Sequence, residues 1–193
     1  AASLMAVVSN AIFSFSCHVD FNLWLRRENR TGLQVFFSSV DPVRLLLHLR
    51  IFLMLFLVDP HDPYHAPKEY ENIFVTDTSV PLVRTPHWEL GNYSKAQIDR
   101  MKATYDGAVL YTDTVLGDLF KELKKLGVYQ RSTIMVTSDH GEAFGEHGVF
   151  LHSHHFYDEL VRVPMIMRYP KMTQRGGYSH FLYQSIDLAP TLV

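Results

Sequence analysis

Three short runs of apolar residues dominate the hydrophobic pattern of the chain. They cover residues 51–58, 133–137 and 163–169, and each is bounded by polar residues or proline. Runs of this length that are rich in Ile, Val, Met and Phe are typical of buried strands rather than of helices. We therefore predict a sheet that contains these three segments, with 51–58 as a buried central strand.

A long amphipathic helix is predicted between the first two runs. Ser94 and Gln97 fit a capping box, in which the serine side chain accepts a hydrogen bond from a free backbone N–H. Gly127 is typical of the position just beyond a helix C-terminus. Helix followed by strand indicates a three-layer α/β sheet. The helical spacing of apolar residues includes Ile98, Met101, Tyr105, Ala108, Val109, Thr112, Leu116, Leu119 and Leu123.

The first 42 residues follow neither pattern clearly. They mix short apolar stretches with scattered polar residues, and glycine and proline interrupt them. We therefore divide the chain into a poorly readable N-terminal segment, residues 1–42, and a main segment, residues 43–193.

Composition narrows the possible functions. The chain has 193 residues, 47% of them hydrophobic, and a net charge of −2 without a basic cluster, so a nucleic-acid binder is not expected. Its one cysteine excludes an internal disulfide framework. The apolar run 51–58 is much shorter than the ~20 residues of a membrane span. No transmembrane segment is therefore predicted.

A carboxylate and an imidazole follow the predicted strand 133–137. Asp139 and His140 stand where a parallel strand would end, and open α/β sheets place their ligand crevice there. Five of the eleven histidines fall between His140 and His155, a density that core packing alone does not explain. A helix N-cap beside a surface histidine is the alternative. We favour a divalent-metal site, of which these two residues form a part.

Several motifs in the same order resemble the sulfatase family of the alkaline-phosphatase superfamily. They are S-D-H-G-E at 138–142, G-E-H-G at 145–148, Y-D-E-L-V-R-V-P at 157–164, the H-x-P-Y segment within 59–70, and the segment 185–193. The resemblance implies an alkaline-phosphatase-like three-layer α/β sandwich with a mostly parallel central sheet, incomplete at the N-terminus. Residues 43–193 would then be part of a sulfatase catalytic domain.

The resemblance also implies roles for individual residues. Asp139 and His140 would be metal ligands, and His61 would be the catalytic group that protonates the leaving oxygen. His152 would bind the sulfate oxygens, with His154 as the alternative. The family usually holds Ca²⁺, which is the expected ion, although an imidazole ligand suits Mn²⁺ or Zn²⁺ better.

Two parts of the family's catalytic apparatus are not found in the sequence. Sulfatases make a formylglycine from Cys or Ser in C/S-x-P/A-x-R, but Cys17 lacks the Pro and Arg, and Ser79 has Arg84 one position late. No Asp-Asp pair, which the metal also needs by resemblance, occurs in the sequence. We therefore expect a fragment that lacks the nucleophile, inactive in isolation; the alternative is a natural short form.

The expected reaction of the full-length protein is hydrolysis of a sulfate monoester, carried by a glycan or a small molecule. Two alternatives stay open. One is a phosphodiesterase or phosphonate monoester hydrolase of the same superfamily, which would differ in its nucleophile. The other is a non-catalytic relative that binds a partner or an anion.

Overall fold

The computed structural model describes residues 4–9, 52–84, 86, 92–152, 155–170, 176–179 and 182–192, with side chains from residue 53 onward. Two 3-10 turns, Tyr129–Arg131 and Ser185–Asp187, accompany the helices and strands. The helices are α1 (Lys68–Glu71), α2 (Lys95–Lys125), α3 (Asp158–Val161) and α4 (Leu188–Leu192). The strands are β1 (Leu4–Ser9), β2 (Phe52–Leu57), β3 (Thr133–Ser138), β4 (Ala143–Phe144), β5 (Phe150–Leu151) and β6 (Met165–Arg168).

The larger sheet has the strand order β2-β1-β3-β6, and β4 pairs with β5 in a separate two-stranded sheet. β1 is antiparallel to both of its neighbours, so β2 and β3 run in the same direction on either side of it. β6 is antiparallel to β3. The predicted strands at 51–58, 133–137 and 163–169 are confirmed, with bounds that differ by a few residues.

The mostly parallel pairing expected for the central sheet is not what the described strands show. Every pairing among them is antiparallel. The physical reason is the position of β1, which lies between two strands of equal direction and runs opposite to both. β1 belongs to residues 1–42, for which the sequence predicted no strand.

The prediction of a buried central strand at 51–58 is correct for only one face. Leu55 and Leu57 are buried, but Met54 and Phe56, which alternate with them, are 50% and 44% exposed. Side chains of successive strand residues point to opposite faces. β2 lies at the edge of the described sheet, and only the face toward α2 is covered there.

The predicted helix is confirmed as α2. Its capping box is formed, because Ser94 Oγ accepts from the N–H of Gln97 at 3.3 Å and Gln97 Oε1 accepts from the N–H of Ser94 at 3.0 Å. Gly127, with φ of 68°, follows its end. Among the residues that the structure describes, neither α2 nor any other helix is long and apolar enough to cross a membrane.

α2 packs against the sheet and against the loops that follow its strands. Leu116 and Leu119 meet Leu55 and Leu57 in one apolar cluster. Each such buried side chain contributes about 1.5–3 kcal/mol of transfer free energy. Nearer its N-terminus, α2 takes part in a second cluster made of Tyr64, Met101, Phe144 and Phe150. The second cluster joins the helix to the loop after β2 and to the β4-β5 hairpin.

Candidate active site

β2 and β3 end at the same edge of the sheet. Leu57 and Ser138, their last residues, both lie opposite Leu4 of β1. The loops that leave these strands, residues 58–67 and 139–142, therefore begin at one edge. Candidate residues that are far apart in the sequence can meet there.

The loop after β2 is a tight turn fixed by a buried tyrosine. The N–H of His61 donates to the carbonyl of Val58, and the N–H of Tyr64 donates to the carbonyl of His61, both at 2.9 Å. Tyr64 is completely buried and has a left-handed φ of 56°. His61 Nδ1 donates to the carbonyl of Asp62 at 2.8 Å and lies 2.9 Å from its Oδ1. His61 Nε2 is therefore the nitrogen that can serve a ligand.

The loop after β3 is held by hydrogen bonds to its own backbone and to α3. Ser138 Oγ donates to the carbonyl of His140 at 2.6 Å, and the N–H of His140 donates to Asp139 Oδ1 at 3.0 Å. The N–H of Gly141 donates to the carbonyl of Leu160 at 2.7 Å. These contacts keep the Asp139 carboxylate and the His140 ring at the sheet edge.

Three histidines from three segments converge at this edge. The rings of His140 and His152 are stacked, with centroids 4.4 Å apart and 22° between their planes. His61 meets His152 edge to face, with centroids 5.2 Å apart. Asp139 Oδ2 lies 3.8 Å from His140 Nε2. We call His61, His140 and His152 the crevice histidines.

Burial sets the charge of the groups around His152. Desolvation lowers the pKa of His152 to about 4, and the neighbouring crevice histidines act in the same direction. Its Nδ1 lies 3.5 Å from Oε1 of Glu142, whose side chain is almost completely buried. Burial raises the pKa of Glu142. His152 is thus neutral at pH 7 and can still donate a hydrogen bond from one ring nitrogen.

Asp62 is a candidate residue that the sequence prediction missed. It forms a possible metal-binding group with His61 and His152. Each of the three residues offers one ligand atom, and these atoms lie within 4.8 Å of one another. The H-D-P sequence in a turn is the signal that could have pointed to Asp62, because a turn can bring neighbouring side chains to one side. His154, the alternative to His152, lies outside the described residues.

A second group of residues with histidines lies beside the first. His147 Nδ1 is 2.7 Å from Oε1 of Glu159, and the His147 ring stacks on Tyr157 with centroids 3.8 Å apart. His155 contacts the same tyrosine ring at 5.2 Å. We call these four residues the peripheral cluster. Tyr157 is 47% exposed, because it precedes the four-residue helix α3 on the surface.

The convergent histidines lie within a region of the chain that matches a protein family. The family model described as Sulfatase matches residues 48–193, which include β2, α2, β3 and all of the crevice histidines. A carboxylate next to a histidine after β3 and a histidine turn after β2 are thus found within the matched region. The chain belongs to the sulfatase family.

Curated relatives match different portions of the chain. N-acetylglucosamine-6-O-sulfatase of Bacteroides thetaiotaomicron is 38% identical over 89 residues, which are 46% of this chain and 16% of the relative. Arylsulfatase K of Canis lupus familiaris is 24% identical over 198 residues, covering 88% of this chain and 34% of the relative. Multifunctional alkaline phosphatase superfamily protein PehA of Trinickia caryophylli is 31% identical over 100 residues, covering 51% and 19%. The chain spans about a third or less of these relatives.

Proposed function

We propose that the protein of which this chain is part hydrolyses a sulfate monoester, carried by a glycan or a small molecule. The observation that carries the proposal is the meeting of His61, His140 and His152 at the common end of β2 and β3, in a member of the sulfatase family. Acidic, basic and anion-binding groups at one strand edge suit chemistry on a charged ester.

His61 is the proton donor in this proposal. A general acid must reach the leaving oxygen, and it contributes roughly 10²–10⁴-fold to the rate. The hydrogen bond from Nδ1 to the carbonyl of Asp62 orients the ring, and Nε2 is then the atom that delivers the proton. Asp62 Oδ1 lies 2.9 Å from the same Nδ1 and gives the ring a second contact on that side.

His152 binds the sulfate oxygens in this proposal, with His154 as the alternative. The neutral ring of His152, whose pKa burial lowers to about 4, can donate one hydrogen bond without needing a counter-charge. Its Nδ1 lies 3.5 Å from Glu142, and its ring lies between those of His61 and His140 at the strand ends.

Asp139 and His140 are the proposed ligands of a divalent metal. A carboxylate and an imidazole side by side, both partly exposed at the strand end, are a donor set that fits part of such a site. We propose Ca²⁺ as the ion, with Mn²⁺ or Zn²⁺ as the alternatives because of the imidazole. When bound, the ion would offset negative charge on the sulfuryl oxygens.

The attacking group is assigned to a formylglycine outside these 193 residues, since neither Cys17 nor Ser79 fits the required motif. For the whole catalytic domain we propose a three-layer sandwich with a mostly parallel central sheet. The common direction of β2 and β3 supports that arrangement, because parallel strands of such a domain end at one ligand-bearing edge.

Phosphodiester or phosphonate monoester hydrolysis is the second candidate. The similarity to PehA, whose name describes a multifunctional member of the alkaline phosphatase superfamily, favours it. A panel of sulfate monoesters, phosphodiesters and phosphonate monoesters separates the two. A preference for the phosphorus esters would replace the sulfatase proposal, and no turnover by the full-length protein would favour a non-catalytic relative.

The role of His61 is tested by its leaving-group dependence. In the full-length protein, His61→Ala should lower kcat/KM for sulfate esters of poor leaving groups by roughly 10²–10⁴-fold, and much less for activated aryl sulfates. His65→Ala is the matched control, because His65 is an exposed histidine of the same loop. Equal losses on both kinds of ester would show that His61 is not the acid.

A further inference from the structure

We propose that His61, Asp62 and His152 form a binding site for a first-row transition-metal ion such as Zn²⁺, separate from the cation site of Asp139 and His140. The three side chains come from two loops, and one ligand atom of each lies within 4.8 Å of the others. They offer two imidazoles and one carboxylate, the set that suits Zn²⁺ and similar ions.

The site needs only a small contraction to bind. Ligand atoms about 2.0–2.1 Å from a tetrahedral zinc ion are roughly 3.3 Å apart. From separations of up to 4.8 Å, the side chains must approach one another by about an ångström or somewhat more. All three are only partly buried, with 37%, 20% and 20% of their side chains exposed, so rotation about their χ angles is possible.

Protein groups beside both rings orient them next to Asp62. Nδ1 of His61 contacts the carbonyl of Asp62 at 2.8 Å and lies 2.9 Å from its Oδ1, and Nδ1 of His152 lies 3.5 Å from the buried carboxylate of Glu142. These contacts hold the two imidazoles and the Asp62 carboxylate within reach of one another before any ion binds.

The geometry separates this site from Asp139 and His140. The lone pair of an imidazole nitrogen lies in the ring plane, so an ion is bound best in that plane. His140 and His152 are stacked at 4.4 Å with 22° between their planes, and an ion in the plane of one ring lies outside the plane of the other. The two rings thus cannot share one ion in this arrangement, whereas His61 crosses His152 at 76°.

Metal binding at this site would control the proposed hydrolysis. A transition-metal ion held by this site would engage both His61 and His152, the residues to which we assign proton donation and sulfate binding. Zn²⁺ should therefore inhibit the enzyme in competition with the ester, while the hard ion at Asp139 stays bound. This consequence rests on the proposed function, but the binding itself does not.

The direct test is calorimetric titration of the protein with ZnCl₂ in the presence of saturating Ca²⁺. We expect one equivalent of Zn²⁺ to bind, and His152→Ala or His61→Ala to weaken it by more than about 100-fold, beyond the effect of losing an outer contact. His65→Ala, the control histidine, should bind as the unaltered protein does.

Two further measurements make the result decisive. The first is zinc binding by Asp62→Asn, which keeps the shape of the side chain and so separates ligation from misfolding of an alanine variant. The second is the absorption of bound Co²⁺, which reports imidazole ligation and needs no turnover. Displacement of Zn²⁺ by Ca²⁺, its loss in Asp139→Ala, or unchanged binding in both His152→Ala and Asp62→Asn would overturn the proposal. Zinc binding by a full-length protein that does not hydrolyse sulfate esters would refute only the proposed function.

Discussion

The crevice histidines and the peripheral cluster differ in what their imidazoles contact. His140 and His152 contact each other's ring faces, and His61 joins them edge to face. His147 instead has a carboxylate at 2.7 Å and a tyrosine ring stacked on it at 3.8 Å. The crevice rings also have protein groups at Nδ1: His61 has the carbonyl of Asp62, His140 that of Gly141, and His152 has Glu142 nearby. What distinguishes the crevice is therefore the contact of several imidazoles with one another at the strand ends, whereas His147 is held between a carboxylate and a tyrosine.

The electrostatic setting of the two groups differs as well. Partial burial raises the pKa of Glu159, but hydrogen bonds from His147 and the backbone outweigh it, and the pKa ends below its usual range. In the crevice, burial raises the pKa of Glu142 and lowers that of His152. The carboxylate of Glu159 is thus stabilised as a charge, whereas Glu142 and His152 are each shifted toward their neutral forms.

The largest expected effect comes from removing one residue at the strand end and one residue of the peripheral cluster. Asp139→Ala should abolish retention of the divalent metal in the full-length protein, and ester hydrolysis with it, because the carboxylate is the charged ligand at the strand end. His147→Ala should leave the metal content unchanged. Metal content is measured by mass spectrometry on protein purified with Ca²⁺. Retention of metal by Asp139→Ala would contradict the assignment.

The next largest effect should come from a substitution at Gly141, which follows His140 and packs against the backbone of Glu159 in the peripheral cluster. A Cβ on Gly141 would lie 1.9 Å from the carbonyl oxygen of Glu159, a backbone atom that cannot rotate away. Gly141→Ala should therefore lower the free energy of unfolding by about 3 kcal/mol, and disturb both regions. Urea denaturation measures the loss.

A matched control for this substitution lies in α2. A Cβ on Gly117 meets nothing within 4 Å. Gly117→Ala should raise the stability by about 0.5–1 kcal/mol, because alanine favours a helix interior over glycine. A large loss in Gly141→Ala together with a small gain in Gly117→Ala would confirm that crowding at Gly141 is the cause, whereas a harmless Gly141→Ala would contradict it.

The smallest effect concerns pH. His152 should titrate at about 4 in the folded, metal-free protein, below its ordinary value of 6.5, because burial disfavours its charged form. The unfolded chain binds this proton at higher pH, so the free energy of unfolding should fall as the pH drops from 6.5 toward 4. Partial exposure keeps the slope below about 1.4 kcal/mol per pH unit. NMR titration measures the pKa, and comparison with His152→Gln assigns the resonance of His152. An ordinary pKa would show that burial does not disfavour the charged form of His152.

Much of the framework could be predicted from sequence because it depends on local signals. The capping box at Ser94, the helical spacing of Leu116 and Leu119, and the apolar run at 133–137 each determine their own element. The position of Asp139 and His140 just after strand 133–137 also predicted that they lie where the sheet can bind a ligand. The structure brings His61 and His152 to the same place. The roles of these residues remain predictions.

The features that the sequence did not predict depend mainly on contacts between residues that are far apart in the sequence. The pairing of β1 with β2 and β3 requires partners more than forty residues away, and no pattern within residues 1–42 specified it. No sequence pattern indicated that the ring of Tyr157 stacks on His147 at the surface. Asp62 follows His61 directly, and only the turn brings its carboxylate near His152.

Tyr64 has a consequence for how sequence variation in this loop should be read. Its backbone has a positive φ, which disfavours most side chains, while its ring fills a completely buried space beside Tyr105 and Phe144. Few residues meet both demands, so this position should vary little among relatives that keep the loop. His61, three residues earlier, should also vary little. Invariance at Tyr64 would then reflect the packing and the backbone conformation of the loop. Invariance at His61 would reflect a chemical role of its side chain.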